Sequence, residues 1–151
     1  MKTLRNVLLA LVILFALTAL PAMATRPVPR ANGVVWDDNA RHFRIAAGGT
    51  RGHVYFSSPV GAFTGIVTCS GEITPGSDVY FGGVISSITG SINQGGPDGF
   101  VVRVQDNGRG LPAPDSDRFD VTFREPAQAC STEPGLFDPT VSIVRGDLKV
   151  R

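Results

Sequence analysis

Long amphipathic helices and the motifs of common catalytic sites are missing from this sequence. No window of 11 or more residues after position 24 sustains a 3.6-residue apolar period, which argues against long helices. No G-x-S-x-G sequence marks a serine nucleophile. The two cysteines, Cys69 and Cys130, lie 61 positions apart, whereas redox-active pairs usually occur as C-x-x-C. These absences favour a turn-rich, strand-forming domain without a recognisable catalytic motif.

The longest apolar run lies at the N-terminus and has the features of an export signal. Two basic residues precede an apolar stretch at 7–20, and Ala22-Met23-Ala24 has the small-x-small pattern that signal peptidase recognises. A membrane anchor needs about 20 apolar residues, and this run is shorter. We therefore predict that residues 1–24 are a secretory signal peptide, that the mature chain begins at Thr25, and that the protein is secreted.

The mature chain has almost balanced charge and many turn-forming residues. It contains 127 residues, with 12 basic and 13 acidic side chains. This balance gives no reason to expect nucleic acid or an anionic membrane surface as a partner, and we expect no membrane attachment after signal cleavage. All 18 glycines and ten of the 11 prolines lie here. We predict a proline-broken lead-in at residues 25–32 and a single domain at residues 33–151.

Apolar and polar residues alternate in seven or eight short segments of the mature chain. Phe100, Val102 and Val104 face one way while Arg103 and Gln105 face the other, and residues 119–123 repeat the pattern. A period of two is typical of strands in a sheet that is solvated on one side. The pattern predicts an all-β domain, an antiparallel β-sandwich or barrel. Residues 145–147 (Arg-Gly-Asp) are predicted to form a turn between the last two strands.

The two cysteines are even in number, which in an exported protein suggests one disulfide. Cys69 falls in a segment in which it shares the inner face with Val67, from which it could reach a partner at the sheet edge. A reactive pair is the alternative. We predict that Cys69 and Cys130 form a structural disulfide.

One acidic cluster is a candidate metal site. Asp115, Asp117 and Asp120 lie close together in the sequence, and Asp106 ends the strand-like segment before them. Hard cations such as Ca²⁺ take several carboxylate oxygens, so Asp106, Asp115 and Asp117 are candidate calcium ligands. The spacing differs from an EF-hand loop, and Asp120 is expected on an outer strand face beside two arginines. No other cofactor is expected.

Histidine and aromatic side chains provide two further hypotheses. His42 and His53 lie in neighbouring strand-like segments, where they could form an acid–base or metal site with Asp37 or Asp38, although surface histidines are common. Trp36, Tyr55 and Tyr80 could form a platform on which sugar rings stack. With so few aromatic side chains available, packing in the core or at its rim is the alternative.

Several short motifs follow one another in a characteristic order. They are G-I-V-T-C at 65–69, V-Y-F-G-G-V-I at 79–85, V-Q-D-N-G at 104–108, D-R-F at 117–119 and R-G-D-L-K-V at 145–150. Over about residues 51–150, this order resembles a family of small exported bacterial all-β proteins without an assigned activity. The resemblance implies an exported all-β domain in which Cys69 and Cys130 match the two cysteines of the family. It implies no catalytic residue.

The sequence therefore favours a non-enzymatic exported β module that binds an extracellular or cell-surface partner, either a protein or a glycan. Small β domains commonly bind through their loops, and the longest loops are expected at 107–117 and 126–139. The alternative is a small secreted enzyme with an acidic or metal-dependent site. These classes differ in whether the aspartates and histidines converge in one pocket.

Overall fold

The structure is a computed structural model that describes residues 28–108, 116–131 and 139–151. The predicted signal peptide at 1–24 lies outside the described residues. Within them the chain forms nine strands and one four-residue helix: β1 (Arg30–Trp36), β2 (His42–Gly48), β3 (Arg51–Ser58), β4 (Gly61–Thr74), β5 (Asp78–Gly90), β6 (Gly99–Gln105), β7 (Arg118–Arg124), α1 (Pro126–Ala129), β8 (Val141–Ser142) and β9 (Arg145–Val150). The all-β prediction is confirmed.

All nine strands belong to one antiparallel sheet, in the order β8-β7-β6-β5-β4-β3-β2-β1-β9. Strands β8 and β9 occupy its two edges, although only Ile143 and Val144 separate them along the chain. The Ile143 N–H donates to the Asp117 carbonyl oxygen (3.1 Å), and the Val144 N–H donates to the Trp36 carbonyl oxygen (3.0 Å). The two edges therefore meet, and the sheet curls around its own core. It has nine strands, not the seven or eight predicted.

Phenylalanine side chains cross the interior of this curl. Phe43 on β2 stacks on Phe119 on β7, with ring centroids 4.7 Å apart. These strands are five positions apart in the sheet, so only a curled sheet can bring the two rings together. Phe63 also contacts Phe100, at 5.6 Å between centroids. The period of two at 100–104 is confirmed, because Phe100, Val102 and Val104 are fully buried in this core.

A β-bulge changes the face on which Cys69 lies. Val67 pairs with Gly83, but Cys69 pairs with Gly82, so one residue of β4, Thr68, has no partner in the register. Val67 is buried inside, while Cys69 lies opposite Gly82 on the outer face. The prediction that Cys69 shares the inner face with Val67 is wrong, because the extra residue reverses the alternation after it.

The disulfide between Cys69 and Cys130 is confirmed, with the two Cα atoms 5.6 Å apart. It joins the outer face of β4 to the residue that follows α1. The helix thereby covers β5 and β6, where Ala129 and the outward-facing Val101 are fully buried. The bond therefore anchors a short cover on one side of the sheet.

The Arg-Gly-Asp segment at 145–147 lies within β9, so the prediction of a turn there is wrong. Gly146 pairs with Val35 and has a φ of 107°, a conformation that glycine adopts readily. A Cβ atom at this position would lie 2.1 Å from the Val34 carbonyl oxygen. Glycine at position 146 therefore allows β9 to continue through the Arg-Gly-Asp segment, which was predicted to form a turn.

Replacing both Cys69 and Cys130 with alanine is expected to destabilise the protein. The bond closes a loop with a sequence separation of 61, for which the chain-entropy model gives about 4 kcal/mol, so we expect a loss of about 2–4 kcal/mol. Urea unfolding of the wild type and the double variant measures the difference. An unchanged midpoint at an unchanged slope would contradict a stabilising role.

Candidate functional site

Two of the three predicted calcium ligands accept hydrogen bonds from the backbone of β9. Asp117 Oδ2 accepts from the Leu148 N–H, and Asp106 Oδ2 accepts from the Val150 N–H, both at 3.0 Å. The remaining oxygen of each carboxylate accepts from the backbone of the loop that begins after Asp106, also at 3.0 Å. All four oxygens therefore have backbone donors.

These bonds compensate for a missing neighbour along β9. One side of β9 pairs with β1, and the N–H groups of Leu148 and Val150 point to the other side, where no strand pairs with them. An unpaired N–H group that is buried away from water is unfavourable. The carboxylates of Asp106 and Asp117 supply the acceptors that a strand would otherwise provide. They connect the ends of β6 and β7 to β9.

Burial raises the pKa of Asp117 above its ordinary value, and it is the largest influence on this group. The N–H groups of Leu148 and Asn107 lower the pKa, while the nearby charges of Asp106 and Asp147 raise it. The carboxylate is thus held in a partly desolvated position by its two donors. This environment suits a fixed structural acceptor.

The remaining acids of the predicted cluster do not join this pair in the described part of the chain. Asp115 lies outside the described residues. Asp120 accepts a hydrogen bond from the Thr140 hydroxyl at 2.9 Å. Within the ranges that the structure describes, no group of three or more His, Cys, Asp or Glu side chains is arranged to hold a metal ion.

The two histidines lie on adjacent strands but do not converge. His53 pairs with Ala46, which lies four residues along β2 from His42, a distance of roughly 13 Å along the strand. Asp37, one of the two aspartates that precede His42, accepts the Arg41 N–H at 2.8 Å within the β1–β2 turn. The structure therefore does not assemble the acid–base site considered from the sequence.

Trp36 and Tyr55 share the outer face of the sheet, on either side of His42. Trp36 stacks on His42 with centroids 4.8 Å apart, and Tyr55 meets the edge of His42 at 5.6 Å. Arg145, on the neighbouring strand β9, lies over the Trp36 ring at 5.4 Å. Trp36 is therefore held between Arg145 and His42. Tyr80 lies apart, on β5 opposite Arg103.

A shallow groove of about 260 Å³ begins beside Tyr55 and runs over β4 and β5. We call it the hydroxyl groove; its lining residues are Tyr55, Ala62, Phe63, Thr64, Ser87 and Thr89. The Tyr55 side chain is half-exposed at one end. Among the described residues no carboxylate or imidazole lines the groove, and the polar side chains that line it all carry hydroxyl groups. Its character is that of a binding surface for a polar, uncharged group.

A second bulge determines which side chains line the hydroxyl groove. Thr64 pairs with Ser87, but Gly65 pairs with Ile85, so Ser86 is the extra residue of β5. The shift leaves Ser87 on the outer face with Thr64 and directs Ile85 toward the core. The sequence offered no signal for this groove beyond its serine and threonine content, because the shift depends on strand pairing.

We expect Asp117→Asn to lower the free energy of unfolding by about 1–3 kcal/mol, because it removes acceptor capacity from the buried N–H of Leu148. Asp98→Asn, at an exposed loop aspartate, is the matched control and should change stability little. Urea unfolding measures both. Equal stability of the two variants would contradict the role of Asp117 as the acceptor for the Leu148 N–H of β9.

The difference in free energy of unfolding between the wild type and Asp117→Asn is expected to depend on pH. Because the pKa of Asp117 is raised in the folded state, ionisation is less favourable there than in the unfolded chain. The contribution of this group is therefore greatest below its ordinary pKa and is lost as the pH rises through the folded pKa. The difference in free energy of unfolding between the wild type and Asp117→Asn should therefore decrease as the pH rises through the folded-state pKa of Asp117. A widening difference would contradict the raised pKa.

Comparison with known proteins leaves the assignment to the geometry. No protein-family model, curated protein or solved structure matches the chain. In the described ranges no helix has the length and apolar character needed to cross a membrane. The disulfide is consistent with an extracytoplasmic location, since such bonds persist in oxidising compartments.

Proposed function

We propose that the protein is a secreted β module that binds a saccharide in the hydroxyl groove. The observation that carries this proposal is the half-exposed Tyr55 ring at the end of a groove bordered by Thr64, Ser87 and Thr89. An aromatic ring offers an apolar face to the C–H groups of a sugar, and hydroxyl groups both donate and accept hydrogen bonds. Saccharides present both kinds of surface.

The rigidity of the surroundings supports this proposal. Tyr55 is held against His42, and the hydroxyl side chains stand on paired strands of one sheet. A site that is ordered before its ligand arrives loses less conformational entropy on binding.

In this proposal the strands form a barrel in which β8 and β9 together act as the closing strand, and the groove lies on the outer wall.

The same geometry favours binding over catalysis. The hydroxyl groove is lined by no acid or histidine, and the carboxylates of Asp106 and Asp117 accept bonds from backbone donors. A hydrolase of saccharides would need two carboxyl groups flanking the scissile bond. The proposed contact surface is a sheet face, whereas the loops at 107–117 and 126–139 lie largely outside the described residues. The N-terminal signal pattern, the disulfide and the family resemblance support the proposed secretion.

A glycan array probed with the mature protein tests this function, followed by titration calorimetry with a saccharide that binds. Tyr55→Ala is expected to weaken binding at least about tenfold, because it removes the ring that borders the groove. Ile66→Ala is the matched control: Ile66 is 42% exposed on the same face and does not line the groove. No binding to any glycan, or equal effects of the two substitutions, would contradict the proposal.

A further inference from the structure

The positive charge of the described chain is concentrated on one side of the sheet. Six cationic side chains are exposed, and all of them stand on the outer face of β9, β1, β2 and β3 or at the end of β9: Arg30, Arg44, Arg51, Arg145, Lys149 and Arg151. On these strands the outward-facing positions carry one carboxylate, Asp147. The nearly neutral net charge of the whole chain conceals this segregation.

Three of these cations surround a pocket of about 440 Å³ at the start of β1. We call it the basic cup; its lining residues are Arg30, Ala31, Asn32, Ala46, Ala47, Lys149 and Arg151. The small side chain of Ala46 leaves room between the long cationic side chains on the outer face, and the amide of Asn32 adds a neutral polar group. In the part of the chain that the structure describes, no carboxylate side chain lines the basic cup.

The strand register holds the three cations close together. Arg30 and Arg151 exchange two backbone hydrogen bonds, of 2.8 and 2.9 Å. Two residues further into β1 and β9, Asn32 pairs with Lys149. Neighbouring strands are about 4.8 Å apart, so like charges share a small area. Arg41 and Arg103 by contrast each pair with an aspartate. An anion in the basic cup would relieve this repulsion and accept several charge-assisted hydrogen bonds.

We infer that the basic cup binds an anionic oxygen group, a sulfate or carboxylate, of the saccharide held in the hydroxyl groove, so that the ligand is an acidic saccharide. This inference rests on the proposed function. Both sites lie on the outer face of the same sheet. Tyr55 on β3 is two strands, or about 10 Å, from β1, and it lies level with Val34, which is four residues or about 13 Å along β1 from Arg30. A single oligosaccharide can therefore contact both.

Calorimetric titration of the mature protein with a heparin octasaccharide, which carries sulfates and carboxylates, tests this inference. Arg30→Gln and Lys149→Gln are each expected to weaken binding about tenfold, because each removes a charge-assisted contact. Arg124→Gln makes the same change of net charge on β7, outside the cup, and should leave the affinity unchanged. Binding should weaken as salt is raised, since exposed charges are screened. Circular dichroism and urea midpoints check that each variant is folded.

Separate outcomes identify which claim fails. Loss of octasaccharide binding in the cup variants, but not in Arg124→Gln, supports the inference. Equal loss in all three charge variants indicates non-specific attraction and overturns it. Binding of neutral glycans through Tyr55, with no gain from acidic groups, overturns the inference and leaves the proposed function standing. Octasaccharide binding that depends on Arg30 but not on Tyr55 overturns the proposed function and the shared ligand. Absence of octasaccharide binding at low salt overturns the inference.

Discussion

The structure depends on the hydrogen bonds that two aspartate carboxylates accept from backbone N–H groups of β9. Without Asp106 and Asp117, the N–H groups of Leu148 and Val150 would face a side of β9 where no strand pairs with them. With them, β9 connects the ends of β6 and β7 to β1. The curl of the sheet and the contact of Phe43 with Phe119 require these distant strands to stay together.

The position of β9 also determines the outer surface on which the proposed function lies. Because β9 pairs with β1, Arg145 covers Trp36, which in turn supports His42 and Tyr55. The same pairing brings Lys149 beside the basic residues at the start of β1. The carboxylates of Asp106 and Asp117 bind the edge of β9 that faces away from β1. They therefore help to hold in place the strands that carry the hydroxyl groove and the basic cup. Structure and proposed function share one constraint.

The sequence was sufficient to predict the all-β fold and the disulfide, but strand pairing determined the number of strands and the faces of several side chains. Apolar alternation at 100–104 depends only on local period, and it is confirmed. The faces of Cys69 and Ser87 depend on bulges at Thr68 and Ser86, which no local pattern distinguishes from regular strand. Asp106 and Asp117 were predicted, together with Asp115, to be calcium ligands, but their carboxylates accept hydrogen bonds from β9 amides in a distant part of the chain. The basic cup likewise appears only when the two ends of the domain are paired.

Native-state hydrogen exchange at the amides of Leu148 and Val150 tests the closing role of the aspartates most directly. Both amides are expected to exchange only through the largest unfolding events, like the amides of central β6, because each donates to a fixed carboxylate. In a variant carrying Asp106→Asn and Asp117→Asn, their protection should fall well below that of β6. Rapid exchange of both amides in the wild type, as expected for a free sheet edge, would contradict the account.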